Sequence, residues 1–166
     1  MSPNRGKQFE NVIREAFESV PGVSIDRLHD QTNGFKGSQN ICDFIVYKKP
    51  YEYYIECKSV HGNRLSIYGK DPKKMYGAIT NTQWDGLLEK SEIQGVTAGV
   101  MCWWIDHNVT LFIPIQTLDL YRRCGRKSIR FDDLDIWVNH EAYEIKGKKK
   151  RVFFDYNMED FFNAFN

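Results

Sequence analysis

The sequence predicts an α/β fold, and three observations support this prediction. Helix-type and strand-type apolar spacing alternate along the 166 residues. The hydrophobic content of 42% and charged content of 27% are ordinary for a globular protein. Aromatic residues make up 14% of the chain, which predicts a core rich in Phe, Tyr and Trp. No repeat, low-complexity segment or linker divides the chain, so we expect one domain over residues 1–166.

Charge and cysteine content exclude several classes of protein. The net charge is +1, so any nucleic-acid surface must come from local clusters of cations. Apolar runs are too short to span a membrane, and the polar amino terminus does not resemble a signal peptide. The four cysteines lack the spacing of zinc ligands, and three lie in apolar strands. We expect a reducing, cytoplasmic setting.

The elements are predicted in order from apolar periodicity and from breaks at glycine, proline and polar clusters. The predicted helices cover residues 7–20, 75–90, 115–124 and 157–165. The predicted strands and hairpins cover residues 23–28, 41–58, 96–114 and 143–154, and the last of these has a basic tip. Polar loops are predicted over residues 29–40 and 61–74.

The central prediction is a tight hairpin over residues 41–58. Both arms are rich in β-branched and aromatic residues, and Pro50 lies in the turn between them. A turn centred between Lys49 and Pro50 places Asp43 opposite Glu56. Directly opposed Cβ atoms lie roughly 4.5–5.5 Å apart, and like charges there are destabilising. Lys58 shares a face with Glu56, because side chains on a strand alternate with a period of two.

Two crowded carboxylates require either a proton or a cation between them. Hard divalent cations such as Mg²⁺ bind carboxylate oxygens and keep waters that a phosphate can replace. A lysine beside such a site can stabilise a phosphate or orient a water. Asp43, Glu56 and Lys58 are therefore candidate catalytic residues. A structural salt-bridge cluster remains an equal alternative on spacing alone.

Three further polar residues are candidates with simpler alternatives. Glu10 flanks the apolar stripe of the first helix, where a surface ion pair with Arg14 is the simpler explanation from the residues alone. Gln83 lies on the apolar side of the second helix, either bonded to backbone or donating to phosphate or water. His29 is better explained as a solvated loop residue than as a base.

Two basic segments are candidate phosphate-binding sites, although exposed charge clusters are often only solvated. One follows Lys58 directly, over residues 61–74, and the other spans Arg122–Arg130. The predicted DNA-contacting residues are Arg5, Arg64, Lys70, Lys73, Lys74, Arg126, Lys127 and Arg130. Lys70, Lys73 and Lys74 are expected to favour branched over linear DNA, because their loop emerges beside the carboxylates.

Asp43, a gap of twelve residues and then Glu56-Cys57-Lys58 resemble the D…(D/E)xK motif of the PD-(D/E)xK nuclease superfamily. Within that superfamily the chain resembles RecU-type Holliday junction resolvases. The matching residues are Asn4-Arg5-Gly6 with Glu10, the Asp43 and Glu56-x-Lys58 set, Gln83, and Gly125–Arg130 with Asp133-Leu134.

The resemblance implies a restriction-endonuclease-like mixed sheet flanked by helices, a homodimer and paired nicking of four-way DNA junctions with Mg²⁺, for which Mn²⁺ substitutes. Asp43, Glu56 and Glu10 would bind the metal, and Lys58 would act at the scissile phosphate or water. The protein would work in the cytoplasm, or in the host cytoplasm if it is phage-encoded. One departure is clear: residues 21–41 are too few for the protruding stalk of RecU proteins.

Two alternatives remain open beside junction resolution. The first is a restriction-like or repair nuclease of the same fold that cuts other DNA. The second is a catalytically silent DNA-binding module, against which the retained Asp43, Glu56 and Lys58 argue.

Overall fold

The computed structural model describes residues 4–29, 40–67, 78–134 and 139–165. Four α-helices are present in these ranges: α1 (Arg5–Glu18), α2 (Asn81–Ser91), α3 (Ile115–Arg123) and α4 (Met158–Ala164). The first six strands are β1 (Val23–Arg27), β2 (Phe44–Lys48), β3 (Tyr51–Val60), β4 (Arg64–Ser66), β5 (Val96–Trp104) and β6 (Val109–Pro114). The last four are β7 (Ser128–Arg130), β8 (Tyr143–Glu144), β9 (Gly147–Lys149) and β10 (Phe154–Tyr156).

Six strands form a mixed sheet in the order β1-β2-β3-β5-β6-β8. The β3–β5 pair is parallel, and the other pairs in this sheet are antiparallel. A parallel pair needs a long crossover connection, and α2 lies in that connection. The predicted α/β fold, a mixed sheet flanked by helices, is confirmed. None of the described helices is long and apolar enough to cross a membrane.

The β2–β3 hairpin has the register expected from its turn. Tyr47 pairs with Glu52 and Ile45 pairs with Tyr54. The regular ladder ends at the pair of Phe44 and Ile55, so Asp43 lies one residue before β2. The sequence determines this register because a slip by one residue would turn every apolar side chain to the wrong face.

Helices cover both faces of the sheet. On one face, α1 and α4 pack over a cluster that includes Phe9, Phe17, Tyr53 and Phe161. On the other face, α2 and α3 pack over a cluster that includes Trp84 and Leu118. Val100 to Trp104 of β5 are buried throughout, as predicted for a strand covered on both faces. We call these the α1/α4 face and the α2/α3 face.

The two long helices begin where side chains cap them. Asn4 caps α1 by accepting hydrogen bonds from the amides of Gly6 and Lys7. The predicted start of the second helix at residue 75 lies outside the described residues, but residues 78–80 are not helical and α2 begins at Asn81. Thr80 and Gln83 form a reciprocal capping box there, which satisfies backbone N–H groups at the helix start.

Two small sheets differ from the prediction. The expected loop after Lys58 contains β4, which pairs with β7 about sixty residues later in the sequence. In this pair Leu65 lies opposite Ile129. The expected hairpin with a basic tip is present, but its arms are not the residues predicted within 143–154. Tyr143 instead pairs with Phe112 of the central sheet, which offers an open edge for pairing. The actual hairpin joins β9 to β10.

Candidate active site

The candidate site lies at the carboxyl end of β3, where the backbone holds Asp43 on two sides. The Asp43 amide donates to the Ile55 carbonyl at 3.1 Å, and its own carbonyl accepts from the Leu28 amide at 2.8 Å. Its side chain then accepts from the Cys57 amide, at 2.8 Å from Oδ2. This bond to the next strand fixes the carboxylate opposite Glu56.

Glu56 is a buried charge, with 2% of its surface exposed. Its Oε1 atom receives two donors, Lys58 Nζ at 2.6 Å and Gln83 Nε2 at 2.8 Å. Its Oε2 atom is buried and has no hydrogen-bond partner among the described residues. A buried carboxylate oxygen without a partner is costly, so the position requires a proton or a ligand.

Burial raises the pKa of the Glu56 carboxyl and the nearby Asp43 carboxylate adds to this rise, while Lys58 and Gln83 lower it, and the net result is a pKa raised from 4.5 to about 7. Burial lowers the pKa of Lys58, but the charge of Glu56, its hydrogen bond and the Asp43 carboxylate together outweigh burial, so the net shift is upward. The lysine therefore stays an ammonium ion, while Glu56 changes charge near neutral pH.

Gln83 joins the start of α2 to the carboxylate. Its side-chain Oε1 atom accepts from the backbone amide of Thr80 at 3.0 Å, and its own backbone amide donates to Thr80 Oγ1 at 3.3 Å. Its Nε2 atom is then directed at Glu56. The backbone bonding considered for Gln83 is therefore present, while its side-chain donor contacts Glu56; donation to phosphate or water stays a prediction. The Thr80-x-x-Gln83 spacing was visible in the sequence and could have predicted the capping box.

Glu10 approaches from the α1/α4 face. The alternative ion pair with Arg14 is wrong, because Arg14 pairs with Glu18 at 3.3 Å. Glu10 instead contacts Arg27 Nη2, at 2.7 Å from Oε2. Sequence reasoning missed Arg27, since only the tertiary fold brings β1 against α1.

Glu10 also belongs electrostatically to the site. Burial raises the pKa of the Cys57 thiol, and three carboxylates, including Glu10 and Asp43, raise it further. Among the described residues, however, no group of three His, Cys, Asp or Glu side chains is arranged to hold a metal ion. The role of Glu10 as a third metal ligand stays a prediction.

The donor set fits a hard divalent cation at the Asp43–Glu56 pair. Carboxylate oxygens are the ligands that Mg²⁺ prefers. The buried Glu56 Oε2 atom has no hydrogen-bond partner among the described residues, and a bound cation would supply one. Asp43 and Glu56 are the residues that would hold the ion. Lys58 keeps 25% of its side chain exposed, so its ammonium group is accessible from outside the protein.

The predicted basic residues are partly brought together. Arg64 and Arg130 lie directly opposite each other across β4 and β7, and both are exposed. Arg126 contacts Asp133 at 3.4 Å, and Lys127 is exposed on the adjoining loop. Opposed like charges are unfavourable without an anion between them. The two basic segments, separate in sequence, therefore form one strand pair.

The remaining predicted contacts lie elsewhere. Arg5 is the first residue of α1. Lys70, Lys73 and Lys74 lie outside the described residues, so their expected preference for branched DNA stays a prediction. His29 lies on the loop after β1, where its carbonyl accepts from Asn40 Nδ2 at 2.8 Å.

Comparison with known proteins gives a likeness at the level of structure but none at the level of sequence. No protein-family model matches the sequence, and no curated protein matches it. The chain is similar to the solved structure of Hjc from Archaeoglobus fulgidus, a Holliday junction resolvase from an archaeal hyperthermophile. The likeness has a TM-score of 0.48 and 17% sequence identity, and covers 78% of this chain and 88% of that one. The RecU-type resemblance stays a prediction from the sequence motifs.

Proposed function

We propose that this chain is a Mg²⁺-dependent DNA endonuclease that hydrolyses phosphodiester bonds, with four-way junctions as its preferred substrate. One observation carries the proposal: a buried carboxylate, Glu56, presents an unpartnered oxygen beside Asp43 while Lys58 and Gln83 occupy its other oxygen. The D…ExK motif supplies the same residues independently.

The residues divide the work of hydrolysis by position. A bound divalent cation would supply Lewis-acid activation of the phosphate and the attacking water. Asp43 and Glu56 would hold that ion. Lys58 is a half-buried ammonium beside them and can donate to a phosphate oxygen as negative charge develops. In the reaction, water oxygen bonds to phosphorus, one bridging P–O bond breaks, and the water proton passes to the departing oxygen or to solvent.

Gln83 has a positioning role in this scheme. Its Nε2 atom donates to Glu56 Oε1 and so fixes that oxygen. Its Oε1 atom is held in turn by the backbone amide of Thr80. Partners that orient a ligand carboxylate in this way usually affect metal affinity and rate. The start of α2 thus sets the direction in which the second Glu56 oxygen points.

Substrate choice rests on charge and on symmetry. The exposed Arg64 and Arg130 provide a cationic surface next to β3 for a sugar–phosphate backbone. A four-way junction presents two symmetric cuts, which a homodimer with two sites would match. We propose that the working enzyme is a homodimer. Sedimentation that shows only monomers at micromolar concentration, with and without junction DNA, would contradict paired cleavage.

The test is a cleavage assay on three substrates with Mg²⁺: a four-way junction, a linear duplex and a single strand. Wild-type protein should nick the junction fastest. Asp43→Asn and Glu56→Gln should remove cleavage while binding remains measurable. Glu89→Gln, which neutralises an exposed carboxylate on α2, is the matched control and should cut like wild type.

Each outcome distinguishes the candidate functions. Equal cutting of junction and duplex would favour the restriction-like or repair nuclease. Binding without any cleavage, in wild type as in the variants, would favour the silent DNA-binding module. Cleavage by Glu56→Gln at a near wild-type rate would show that the active site lies elsewhere.

A further inference from the structure

The densest run of cations in the chain lies on the β9–β10 hairpin and was not among the predicted DNA contacts. Five of the six residues from 146 to 151 are lysine or arginine, and all five are exposed. They are Lys146, Lys148, Lys149, Lys150 and Arg151. The turn that joins the two strands is closed by a hydrogen bond from the Lys150 amide to the Phe153 carbonyl at 2.8 Å.

Buried contacts hold this hairpin against the central sheet. The hydroxyl groups of Tyr156 and Thr110 lie 2.6 Å apart in the interior. The Phe153 ring packs on Trp103, with ring centroids 5.2 Å apart. Lys149 Nζ donates to Asn108 Oδ1 at 2.6 Å. The hairpin is therefore a fixed part of the surface on the α1/α4 face.

The hairpin and the β4–β7 pair meet at one turn, residues 105–108 between β5 and β6. Asn108 in this turn receives Lys149 from the hairpin. Asp106 in the same turn accepts from the Gly62 amide, just before β4. Because β3 and β5 are parallel, with Val60 beside Trp104, this turn lies at the end of the sheet that carries Lys58.

The two basic elements lie on opposite faces of that sheet end. Leu65 of β4 and Ile129 of β7 pack in the cluster of the α2/α3 face. Tyr156 of β10 packs in the cluster of the α1/α4 face. Cationic surfaces therefore flank the candidate active site from both sides.

Not every cation on the hairpin is committed to a neighbour. Lys149 is occupied by Asn108 and lies 4.6 Å from the Phe154 ring centroid. Lys150 has only a 3.9 Å contact with Asp155, and both side chains are well exposed, which makes the pair weak. Lys148 and Arg151 form no ion pair within the described part of the chain. These two side chains, like the exposed Lys146, which also forms no ion pair among the described residues, are available to an anion.

A groove of about 550 Å³ separates the hairpin from α1. Arg5 and Gln8 line it on the helix side, and Lys150 and Arg151 line it on the hairpin side. Glu15 and Asp155 also line the groove, so the cationic surface is the hairpin turn together with Arg5 rather than the whole groove.

We propose that the β9–β10 hairpin and Arg5 bind the sugar–phosphate backbone of DNA on the α1/α4 face, as the counterpart of Arg64 and Arg130 on the other face. This inference rests on the proposed function. Phe153 and Phe154 are already packed on Trp103 and Tyr156, so base stacking on them is disfavoured. The contact is with phosphate and is independent of base sequence.

The test compares two double variants that remove equal charge. Lys148→Gln with Arg151→Gln neutralises the hairpin. Lys49→Gln with Lys90→Gln neutralises an exposed cation on the β2–β3 turn and a half-buried one in the last turn of α2, both outside the two basic segments, and it is the control. Binding of a four-way junction and of a linear duplex is titrated in EDTA, so that no cutting occurs, between about 50 and 200 mM salt.

The hairpin variant should bind DNA more weakly than wild type, and its plot of log K against log salt should be less steep by about 1.8, the value for two lost phosphate contacts. The control variant should match wild type. Hairpin-variant binding with unchanged affinity and slope would overturn the inference. So would loss of binding to phosphatidylserine vesicles with DNA binding intact, which would assign the hairpin to a membrane surface.

The same experiment separates this inference from the proposed function. If wild type cuts DNA with Mg²⁺ but the hairpin variant binds like the control, the hairpin assignment alone fails. If wild type neither binds nor cuts any of the substrates, the proposed function fails with it. Thermal unfolding of both variants, expected within a few degrees of wild type, shows that each is folded.

Discussion

The two faces of the central sheet bury their side chains to the same extent but differ in chemistry. Successive residues of β3 alternate between them, so Tyr53 and Ile55 enter the α1/α4 face while Tyr54 and Glu56 enter the α2/α3 face. The first face is filled by packed aromatic rings. The second contains a charged group whose burial is unfavourable. Stability and chemistry are thus separated across one strand.

This contrast explains why the site is stable enough to exist. The aromatic side offers large apolar contacts, such as Phe161 with Phe112 at 5.1 Å between ring centroids. Packing of this kind contributes most of the favourable free energy of folding. The α2/α3 face can then hold Glu56 in an unfavourable position, with Gln83 and Lys58 offsetting part of the cost.

The largest effect on stability is expected from a substitution in the aromatic packing of the α1/α4 face. Phe161→Ala should lower the free energy of unfolding by about 3–5 kcal/mol, because it removes a ring that is 2% exposed and leaves a cavity. Denaturant unfolding measures the loss. Phe161→Leu, a smaller change, should retain the wild-type cleavage rate per folded molecule. A lower rate in folded Phe161→Leu protein would contradict the separation of the two faces.

The next largest effect is a dependence of stability on pH, which arises from Glu56 on the α2/α3 face. The folded-state pKa of Glu56 is about 7 and its ordinary value is 4.5, so the folded protein binds the proton more tightly. The resulting stability is present at low pH and is lost as pH rises from about 5 to 8. The loss in metal-free protein should be at most about 3 kcal/mol.

Glu56→Gln cannot titrate and should lack this pH-dependent loss. Chemical unfolding of both proteins in EDTA at several pH values gives the comparison. The difference between their free energies of unfolding should shift in favour of the variant as pH rises. Parallel pH profiles for the two proteins would show that Glu56 is not held in the environment described here.

A smaller effect is expected at Gln83. Gln83→Glu keeps an oxygen acceptor for the Thr80 amide but replaces the donor to Glu56 by a second carboxylate. Cleavage should fall about 10- to 100-fold, the usual consequence of losing a partner that orients a metal ligand. Single-turnover cleavage measures it.

Thr80→Ala is the matched control for the helix start. It removes the capping hydroxyl and should cost about 1 kcal/mol of stability with a smaller effect on cleavage than Gln83→Glu. Cleavage by Gln83→Glu at the wild-type rate would mean that Gln83 is only a capping residue.

Local signals allowed the centre of the site to be predicted. Pro50 and the period of two along 41–58 determine the hairpin register, and that register places Asp43 opposite Glu56 and Lys58 beside it. The capping box at Thr80 was equally local, and overlooking it placed the start of α2 too early. The hairpin register and the helix start both depend on residues close together in the chain, so both can be predicted from the sequence.

Features that depend on distant pairing could not be predicted. The three-residue strands β4 and β7 are too short for a periodic signal, and each pairs with a strand about sixty residues away in the sequence. The Glu10–Arg27 contact requires α1 to pack on β1. Tyr143 and Glu144 have the residue pattern of a hairpin arm, but they pair with the open edge of β6 instead, which local sequence does not show.

The central claim is that the unpartnered oxygen of Glu56 is a divalent-cation ligand. Thermal unfolding in rising Mg²⁺ concentration, without DNA, tests it most directly, because a ligand that binds only the folded state raises the melting temperature. We expect a rise for wild type and for Glu89→Gln at about pH 8, and none for Glu56→Gln. An equal rise in Glu56→Gln would contradict it.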